Sequence, residues 1–270
     1  MGQLPYRALI VDFDRTLLHT DKTLSAYSIR VLRDWQEEGA CLFAATARPE
    51  RAVTDYCRKL AFDAVTTLNG ARTITPNAVF EHQISTDSAE FILEQLSSIP
   101  GSVISVEAET GLYASADIPD WAPKVTDRIT DLPRKERIYK ILASHPQIPA
   151  DKIKLRLPED TYCSIADRKL VQIMSRTATK WSGVRKMLEA YQIDTDQAIY
   201  FGDDNDDIEP IRQCGCGVAV SNALDCVREI ADYVTGSNDE DGVANFLSKL
   251  RNGENGRQKE KEDPHNHGTV

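Results

Sequence analysis

Short apolar runs alternate with amphipathic stretches in the first 61 residues of the chain. RALIVDF, which begins at Arg7, and ACLFAAT, which begins at Ala40, predict two buried strands. SAYSIRVLRDWQEEG predicts an amphipathic helix that ends at Gly39, and PERAVTDYCRKLA predicts a helix with Pro49 in its first turn. This order of strands and helices predicts a parallel sheet with helices on its faces.

The same rhythm returns near residue 177. TKWSGVRKMLEAYQI and DIEPIRQCG predict helices, AIYFGD predicts a strand, and GVAVSNA predicts a strand and a turn. ALDCVREIA, DYVT and EDGVANFLSKL continue as helix, strand and helix. We therefore expect both segments to belong to one α/β core, a doubly wound, Rossmann-like parallel sheet.

The stretch between about 85 and 176 has a different texture. A predicted helix, AEFILEQLSSI, precedes strand-like pieces such as SVISVEA, GLYASAD, TYCSIAD and LVQIMS, with KERIYKILAS between them. This pattern predicts an α+β domain, 85–176, inserted into a core domain made of 1–84 and 177–250. Residues 251–270 are polar and nearly free of apolar side chains, which predicts a disordered tail.

The charge balance is acidic, with 32 basic and 42 acidic residues and a net charge of -10. This balance argues against a nucleic-acid partner, because such binding needs a basic face. The six cysteines show no zinc-ligand spacing, no signal-peptide layout is visible, and no apolar run approaches membrane-spanning length. The sequence thus predicts a cytoplasmic protein without a membrane segment, which could still bind phosphorylated metabolites through a metal ion.

Polar side chains follow three of the predicted strands. Asp12 and Asp14 follow the first strand, Thr46 follows the second, and Asp203 follows AIYFG. In a doubly wound sheet these carboxyl ends form the ligand-binding edge. The stretch GDDNDD adds further carboxylates, up to Asp207. So many like charges need a cation, and hard oxygen ligands of this kind suit Mg²⁺.

Each of these signals also has an ordinary structural interpretation. Asp and Thr are common in turns, and Thr46 before Pro49 could cap a helix. Lys180, at a helix start, could be a solvated charge, and GDDNDD could be an acidic helix start. The signals nevertheless occur together and in order, each at its predicted strand end or helix start, which favours a functional site.

Five stretches of the chain resemble the motifs of one enzyme family, the haloacid dehalogenase-like hydrolases, in particular their Cof-type, sugar-phosphatase-like branch. They are DFDRTLL, AATARP, TLNGA, TKWSGVRKMLEAYQI and IYFGDDNDDIEPIRQCGCGVAVSNA followed by ADYVTGSNDEDGVANFL. The resemblance spans about residues 7 to 250, and the insertion corresponds to the family's α/β cap of the C2B type. Arg15 and Ala47 replace glycines of the motifs, and Asp206 stands where the family usually has asparagine.

The resemblance implies a Mg²⁺-dependent phosphomonoesterase that hydrolyses a small phosphorylated metabolite through an aspartyl-phosphate. Asp12 would be the nucleophile, and Asp14 would protonate the leaving oxygen and then activate water. Thr46 and Lys180 would hold phosphoryl oxygens. Mg²⁺ would be bound by Asp12, the backbone carbonyl of Asp14, Asp203 and Asp207.

Arg48 and Asn69 are weaker candidates for substrate contact. The cap usually supplies selectivity for the leaving group in this branch, and His145, Trp121 and Lys124 are candidates there. Such side chains are, however, more often part of the packing of an α+β domain.

Arg15 has two interpretations. In the first, its backbone has an ordinary negative φ and the side chain points to solvent. In the second, its guanidinium faces the cap and helps to bind an anionic substrate.

Three alternative functions remain. A phosphotransferase or sugar phosphomutase would use the same groups on another acceptor hydroxyl. A receiver module of the response-regulator type also clusters aspartates, a threonine and a lysine, but it places its acceptor aspartate on a middle strand. A catalytically silent regulatory member would keep the fold alone, and Arg15 leaves that possibility open. The sequence does not specify the substrate, the protein partners or the oligomeric state.

Overall fold

The computed structural model describes residues 4–166 and 169–254. Its strands are β1 Ala8–Val11, β2 Cys41–Ala45, β3 Ala64–Thr67, β4 Arg72–Ile74, β5 Val79–Glu81, β6 Val103–Ala108, β7 Gly111–Ala114, β8 Lys124–Val125, β9 Ile138–Ser144, β10 Thr161–Ala166, β11 Leu170–Ser175, β12 Ala198–Gly202, β13 Cys216–Ala219 and β14 Tyr233–Val234. Its α-helices are α1 Ala26–Glu37, α2 Thr54–Leu60, α3 Thr86–Ser97, α4 Lys180–Tyr191, α5 Ile208–Gln213, α6 Asp225–Ile230 and α7 Gly242–Arg251.

The first sheet has the strand order β14-β13-β12-β1-β2-β3-β4-β5. Its strands are parallel from β14 to β3, and β4 and β5 then continue the edge in antiparallel fashion. Every residue of β1 and β12 is buried, as expected for central strands that are covered on both faces. The predicted α/β class and the joining of two separate segments into one sheet are confirmed.

The order of the strands explains the position of the candidate chemistry. β1 lies between β2 and β12, with Val11 level with Ala44 and Phe201. The three strands run in the same direction, so their carboxyl ends meet at one edge. Asp12, Thr46 and Asp203 follow these ends directly and are therefore brought together by the sheet.

The second sheet lies in the inserted segment, called the cap below, with the strand order β10-β11-β9-β6-β7-β8. The pairs β10–β11, β11–β9, β9–β6 and β6–β7 are antiparallel, and the short β8 pairs with β7 in parallel. One face of this sheet buries Ile104, Val106, Ile141 and Ile173 in a cluster shared with α3. Because side chains alternate along a strand, the residues between them form an open face on the other side.

KERIYKILAS contributes β9, which pairs with both β6 and β11 and so lies inside the cap sheet. We propose that the domain division follows the sequence-based boundaries, with the cap near 85–176. In support, Ser85 caps α3, β11 ends at Ser175, and α4 begins after Thr179. α7 continues to Arg251, and most of the predicted tail, 255–270, lies outside the described residues.

The segment before the second helix differs from its prediction. Pro49 precedes a short 3-10 turn, Glu50–Ala52, and the α-helix starts only at Thr54. Val53, between the two pieces, has a φ of -112° and so separates them. Thr46 does not cap a helix, because its hydroxyl oxygen accepts a hydrogen bond from the Arg48 backbone at 3.2 Å.

A left-handed turn follows β3. Leu68, Asn69 and Gly70 have φ values of 51°, 56° and 96°. Side chains disfavour this region by about 1 kcal/mol or more per residue, and glycine avoids that strain. At Gly70 there is also no space, since a Cβ atom would lie 1.9 Å from the carbonyl oxygen of Thr179. The turn therefore packs directly against the start of α4.

Candidate active site

A buried lysine bridges two aspartates at the carboxyl edge of the first sheet. Lys180 Nζ donates to Asp12 Oδ1 at 2.8 Å and to Asp207 Oδ1 at 2.7 Å. All three side chains are at most 6% exposed. Burial alone would lower the pKa of Lys180, but the charges of Asp12 and Asp207 raise it well above its ordinary value. Lys180 is therefore a fixed positive charge beside Asp12.

Asp207 accepts hydrogen bonds at both of its carboxylate oxygens. Besides Lys180, Tyr200 donates its hydroxyl to Oδ1 at 2.6 Å. Oδ2 accepts from the backbone N–H groups of Asp203 and Asp204 at 3.0 and 3.1 Å. These bonds hold the loop after β12 and orient Lys180, so Asp207 has a clear organising function whether or not it also contacts a metal ion.

Asp12, Asp203 and Asp207 form a group in which one carboxylate oxygen of each lies within 4.8 Å of the others. Burial and the charge of Asp207 raise the pKa of Asp203 to about 7, although Thr16 donates to its Oδ1 at 2.9 Å. Burial, followed by the nearby carboxylates, also raises the pKa of Asp12. Lys180 balances only one of three negative charges, so this group of hard oxygen donors fits a divalent cation.

Asp14 lies apart from this group and is held by two cations. Arg48 donates to both carboxylate oxygens, from Nε at 2.6 Å and from Nη2 at 2.7 Å, and Lys22 Nζ donates to Oδ1 at 2.8 Å. Partial burial opposes ionisation, but Arg48 and Lys22 prevail and lower the pKa of Asp14 to about 2. In this arrangement Asp14 is ionised, and Arg48 uses two of its nitrogens, Nε and Nη2, to bind it.

Asn69 connects the core to the cap. Lys140 of β9 donates its Nζ to Asn69 Oδ1 at 2.8 Å, and the Asn69 amide hydrogen-bonds Asp206. Both Asn69 and Lys140 are almost fully buried. Burial lowers the pKa of Lys140 to about 8, while Asp206 and Glu107 counteract that effect. Asn69 thus places a cap ammonium near the loop that carries Asp203 and Asp207.

Arg15 does not have the ordinary backbone that one interpretation required, because its φ is 62°. Its Nη2 donates to the carbonyl oxygen of Asn222 at 3.3 Å, and its Nε lies 4.0 Å from Asp203 Oδ2. Both partners belong to core loops, and the Arg15 side chain is 55% exposed. A role for Arg15 in substrate binding stays a prediction.

A cavity of about 430 Å³ lies between this site and the open face of the cap sheet. Core residues Asp14, Arg48 and Arg51 line one side, and cap residues Trp121 and Lys140 are among those on the other. The volume is within the range of small-molecule sites. The cavity thus leads from Asp14 into the cap.

The three cap candidates have different environments. His145 Nδ1 lies 3.0 Å from the backbone nitrogens of Gln147 and Ile148, so it stabilises a turn. Lys124 donates to the Thr110 carbonyl oxygen and lies over the Tyr113 ring. Among the three, Trp121 lines the cavity.

Lys140, Lys22, Thr16 and Tyr200 contact the site but were not singled out from the sequence. Lys140 left a signal, since it is a lysine inside the apolar stretch IYKILAS. Tyr200 looks like an ordinary core aromatic, and Lys22 and Thr16 look like ordinary turn residues. Their positions become visible only when the loops after β1 and β12 are brought together.

A Rossmann-like core sheet with an inserted cap, and a lysine among buried aspartates at its carboxyl edge, define a class of capped α/β enzymes that act at this edge. Residues 9–247 match the model of the haloacid dehalogenase-like hydrolases. The chain belongs to this family.

Several relatives extend the match over nearly the whole chain. YitU of Bacillus subtilis, a 5-amino-6-(5-phospho-D-ribitylamino)uracil phosphatase, is 27% identical and aligns over 92% of this chain and 98% of its own. YcsE of the same organism, a phosphatase of the same name, is 24% identical over 89% and 94% of the two chains. The structure of TM0651 from Thermotoga maritima superposes with a TM-score of 0.80 at 20% identity, covering 90% and 97%. The last comparison supports the fold.

Within residues 4–166 and 169–254, every helix is too short or too polar to cross a membrane.

Proposed function

We propose that the protein is a Mg²⁺-dependent phosphomonoesterase that hydrolyses a small phosphorylated metabolite. The observation that carries this proposal is the contact of Lys180 with Asp12 inside the group of buried carboxylates. The family and the phosphatase names of the relatives support it. Mg²⁺ held by Asp12, Asp203, the Asp14 carbonyl and Asp207 would offset the repulsion between the carboxylates and the phosphoryl group.

Asp12 would act as the nucleophile through the oxygen that Lys180 leaves free. Lys180 binds Oδ1, so Oδ2 can form the new bond to phosphorus while the bond to the leaving oxygen breaks. Lys180 and the buried Thr46, at the end of β2, would hold phosphoryl oxygens, where negative charge is spread in the transition state. The product of this step would be an aspartyl-phosphate on Asp12.

Asp14 would transfer the protons. It would give its proton to the leaving oxygen, and its carboxylate would then take a proton from the water that attacks the aspartyl-phosphate. Free phosphate and the Asp12 carboxylate would result. The pairing with Arg48 and Lys22 suits the second step, in which Asp14 is a base. For the first step the phosphoryl anion would have to loosen this pairing by competing for Arg48.

The test is release of phosphate from 4-nitrophenyl phosphate with Mg²⁺ and with a chelator. We expect metal-dependent turnover that Asp12→Asn lowers by about 1,000-fold or more, because that change removes the nucleophile at constant shape. The variant's unfolding midpoint in urea serves as the folding control. Equal turnover by Asp12→Asn, or turnover unaffected by the chelator, would refute the proposal.

The same assay separates hydrolysis from the phosphotransferase alternative. A hydrolase releases one phosphate for each 4-nitrophenol in plain buffer. Transfer to an added polyol, with little free phosphate, would identify a phosphotransferase instead.

A further inference from the structure

We infer that Asn222 is a positioning residue, which holds the loop after β1 in the conformation that the proposed metal site needs. Asn222 lies between β13 and α6, and the proposed mechanism gives it no part. It acts on the backbone of the loop that carries Asp12 and Asp14, and does not itself bind substrate or metal. The inference rests on the proposed Mg²⁺-dependent function and adds a residue that this function requires.

The loop after β1 turns sharply at Arg15, whose φ of 62° lies in the left-handed region. The backbone N–H of Leu18 donates to the carbonyl oxygen of Phe13 at 2.8 Å and folds the loop back on the strand. Because the peptide bond between Asp14 and Arg15 is planar, the φ of Arg15 sets the direction of the Asp14 carbonyl relative to the rest of Arg15. A relaxation of Arg15 to an ordinary negative φ would rotate that carbonyl by about 120°.

Asn222 holds Arg15 in this conformation through both ends of its side-chain amide. Its Nδ2 donates to the carbonyl oxygen of Arg15 at 2.8 Å, and its Oδ1 accepts from the backbone N–H of Asn238 at 2.9 Å. Arg15 in turn donates from Nη2 to the carbonyl oxygen of Asn222 at 3.3 Å. A carbonyl only accepts and an N–H only donates, so these two partners define the orientation of the amide. The loop after β1 is thereby fixed to the segment that precedes α7.

The segment 220–224 also contacts the loop that carries Asp203. The backbone N–H of Leu224 donates to the carbonyl oxygen of Asp203 at 2.9 Å. One short segment therefore binds both loops whose carbonyl and carboxylate oxygens form the proposed metal site. Asn222 contributes the contact on the side of Asp14, so it helps to set the distance between the Asp14 carbonyl and Asp203.

Asn238 supports the same loop, but it is less suitable for a test. Its Nδ2 donates to the carbonyl oxygen of Leu18 at 3.0 Å, and the residue is only 3% exposed. Its replacement would remove a buried hydrogen bond and so lower the stability of the fold. Asn222 is half-buried, so water can reach the groups that it binds once its side chain is shortened. An effect of its substitution on metal binding can therefore be separated from an effect on folding.

The expected consequence of losing Asn222 is weaker binding of Mg²⁺. This ion needs near-ideal octahedral geometry, so a displaced ligand lowers its affinity. Without Asn222 the Arg15 carbonyl would lose this hydrogen bond, and the left-handed φ, which side chains disfavour, would be free to relax. Together these effects correspond to about tenfold in the affinity for Mg²⁺. We therefore expect a defect in metal binding that excess Mg²⁺ overcomes.

Titration calorimetry on the metal-free protein at pH 8 measures the Kd for Mg²⁺ in the wild type and in Asn222→Asp, Asn222→Ala and Asn245→Ala. Asn222→Asp keeps the shape and the acceptor but cannot donate to Arg15. Its added negative charge alone would strengthen cation binding, so weaker binding would reveal the lost contact. We expect both changes at Asn222 to raise the Kd by about tenfold.

Asn245→Ala is the matched control. Asn245 also donates its Nδ2 to a backbone carbonyl oxygen, that of Glu240, but it lies in α7 and outside the loops of the site. We expect the Kd of this variant to stay within about twofold of the wild-type value. Urea unfolding with chelator present compares the stability of the two alanine variants, each of which loses a hydrogen bond from an asparagine to a backbone carbonyl.

Phosphate release from 4-nitrophenyl phosphate provides a second readout. The Mg²⁺ concentration for half-maximal turnover should rise about tenfold in Asn222→Ala, whereas kcat at saturating Mg²⁺ should stay within about threefold of the wild type. A loss of folded protein would lower turnover at every Mg²⁺ concentration and would not be overcome by excess metal.

The outcomes distinguish this inference from the proposed function. An unchanged Kd in both variants of Asn222, or an equal shift in Asn245→Ala, would refute the positioning role while the phosphatase stands. If Asn222→Ala does not fold, Asn222→Asp alone decides the question in the same way. A folded wild type that binds no Mg²⁺ and releases no phosphate would refute the proposed function and the inference together.

Discussion

Arg48 holds both carboxylate oxygens of Asp14, at 2.6 and 2.7 Å. The contact joins the loop after β2 to the loop after β1. It keeps Asp14 ionised at the mouth of the cavity that leads into the cap. The same pair therefore contributes both to the stability of the fold and to the protonation of the proposed acid and base.

We expect Asp14 to contribute acid-sensitive stability. Its pKa of about 2 lies below the ordinary value of 3.8, so the stabilisation is present above about pH 4 and is lost as the pH falls towards 2. The side chain is 36% exposed, and after allowance for solvent screening we expect about 1 kcal/mol. Urea unfolding at pH 6 and pH 3, with chelator present, should show a smaller acid loss for Asp14→Asn than for the wild type. An identical loss in both proteins would contradict this.

Lys140→Met should make the protein more stable at pH 7, by about 2 kcal/mol. Burial lowers the pKa of Lys140 from 10.5 to about 8, which means that the folded protein is destabilised by carrying the charged ammonium there. This destabilisation exceeds the free energy that the hydrogen bond to Asn69 contributes. Between pH 8 and 10.5 Lys140 binds its proton more strongly in the unfolded chain than in the folded one. The free energy of unfolding of the wild type should therefore rise with pH across this range.

Urea unfolding at pH 7 and pH 10 measures both effects. The gain from Lys140→Met should shrink at pH 10, whereas Lys124→Met should have little effect at either pH. A gain of equal size at both pH values would show that the buried charge is not its source.

Mg²⁺ binding should weaken as the pH falls below 7. Asp203 has a pKa of about 7 in the metal-free protein, so at pH 6 the metal must displace a proton from it. We expect the apparent affinity to fall by about tenfold per pH unit there. Titration calorimetry at pH 8, 7 and 6 gives the Kd and the protons released. Asp203→Asn should bind far more weakly, while Asp206→Asn removes a carboxylate outside the group of three and should retain binding. A Kd for Mg²⁺ that stays constant from pH 8 to pH 6 would contradict this prediction.

Arg15→Gly should be more stable than Arg15→Ala by about 1 kcal/mol. Both changes remove the contacts with Asn222 and Asp203, but only glycine relieves the φ of 62°. The comparison of the two variants in urea isolates the backbone contribution. Equal midpoints would mean that the left-handed conformation at this position is not strained.

The pattern of apolar residues along the chain is sufficient to predict the central strands of the first sheet. Apolar runs such as ALIV and AIYFG are buried on both faces, so their strand character and their central position are visible from composition alone. The polar residues that follow them mark the carboxyl edge of the sheet. The sequence does not show that KERIYKILAS contains a strand. Lys140 interrupts the apolar residues of β9, and the central position of β9 depends on its pairing with β6 and β11.

Contacts between distant segments could not be predicted in the same way. The pairing of Arg48 with Asp14 and of Lys140 with Asn69 depends on how loops and domains meet in space. The positive φ of Arg15 is a further example, since its side chain suggests an ordinary backbone and only the path of the loop requires the left-handed one.

The close approach of Gly70 to Thr179 restricts how the chain can change through mutation. Any side chain at position 70 would displace the carbonyl at the start of α4, and with it the lysine that contacts Asp12. In a library in which every position is randomised and active clones are selected, position 70 should therefore return glycine alone. Gly39, whose φ is also positive but which has open space around it, should return asparagine and other residues as well.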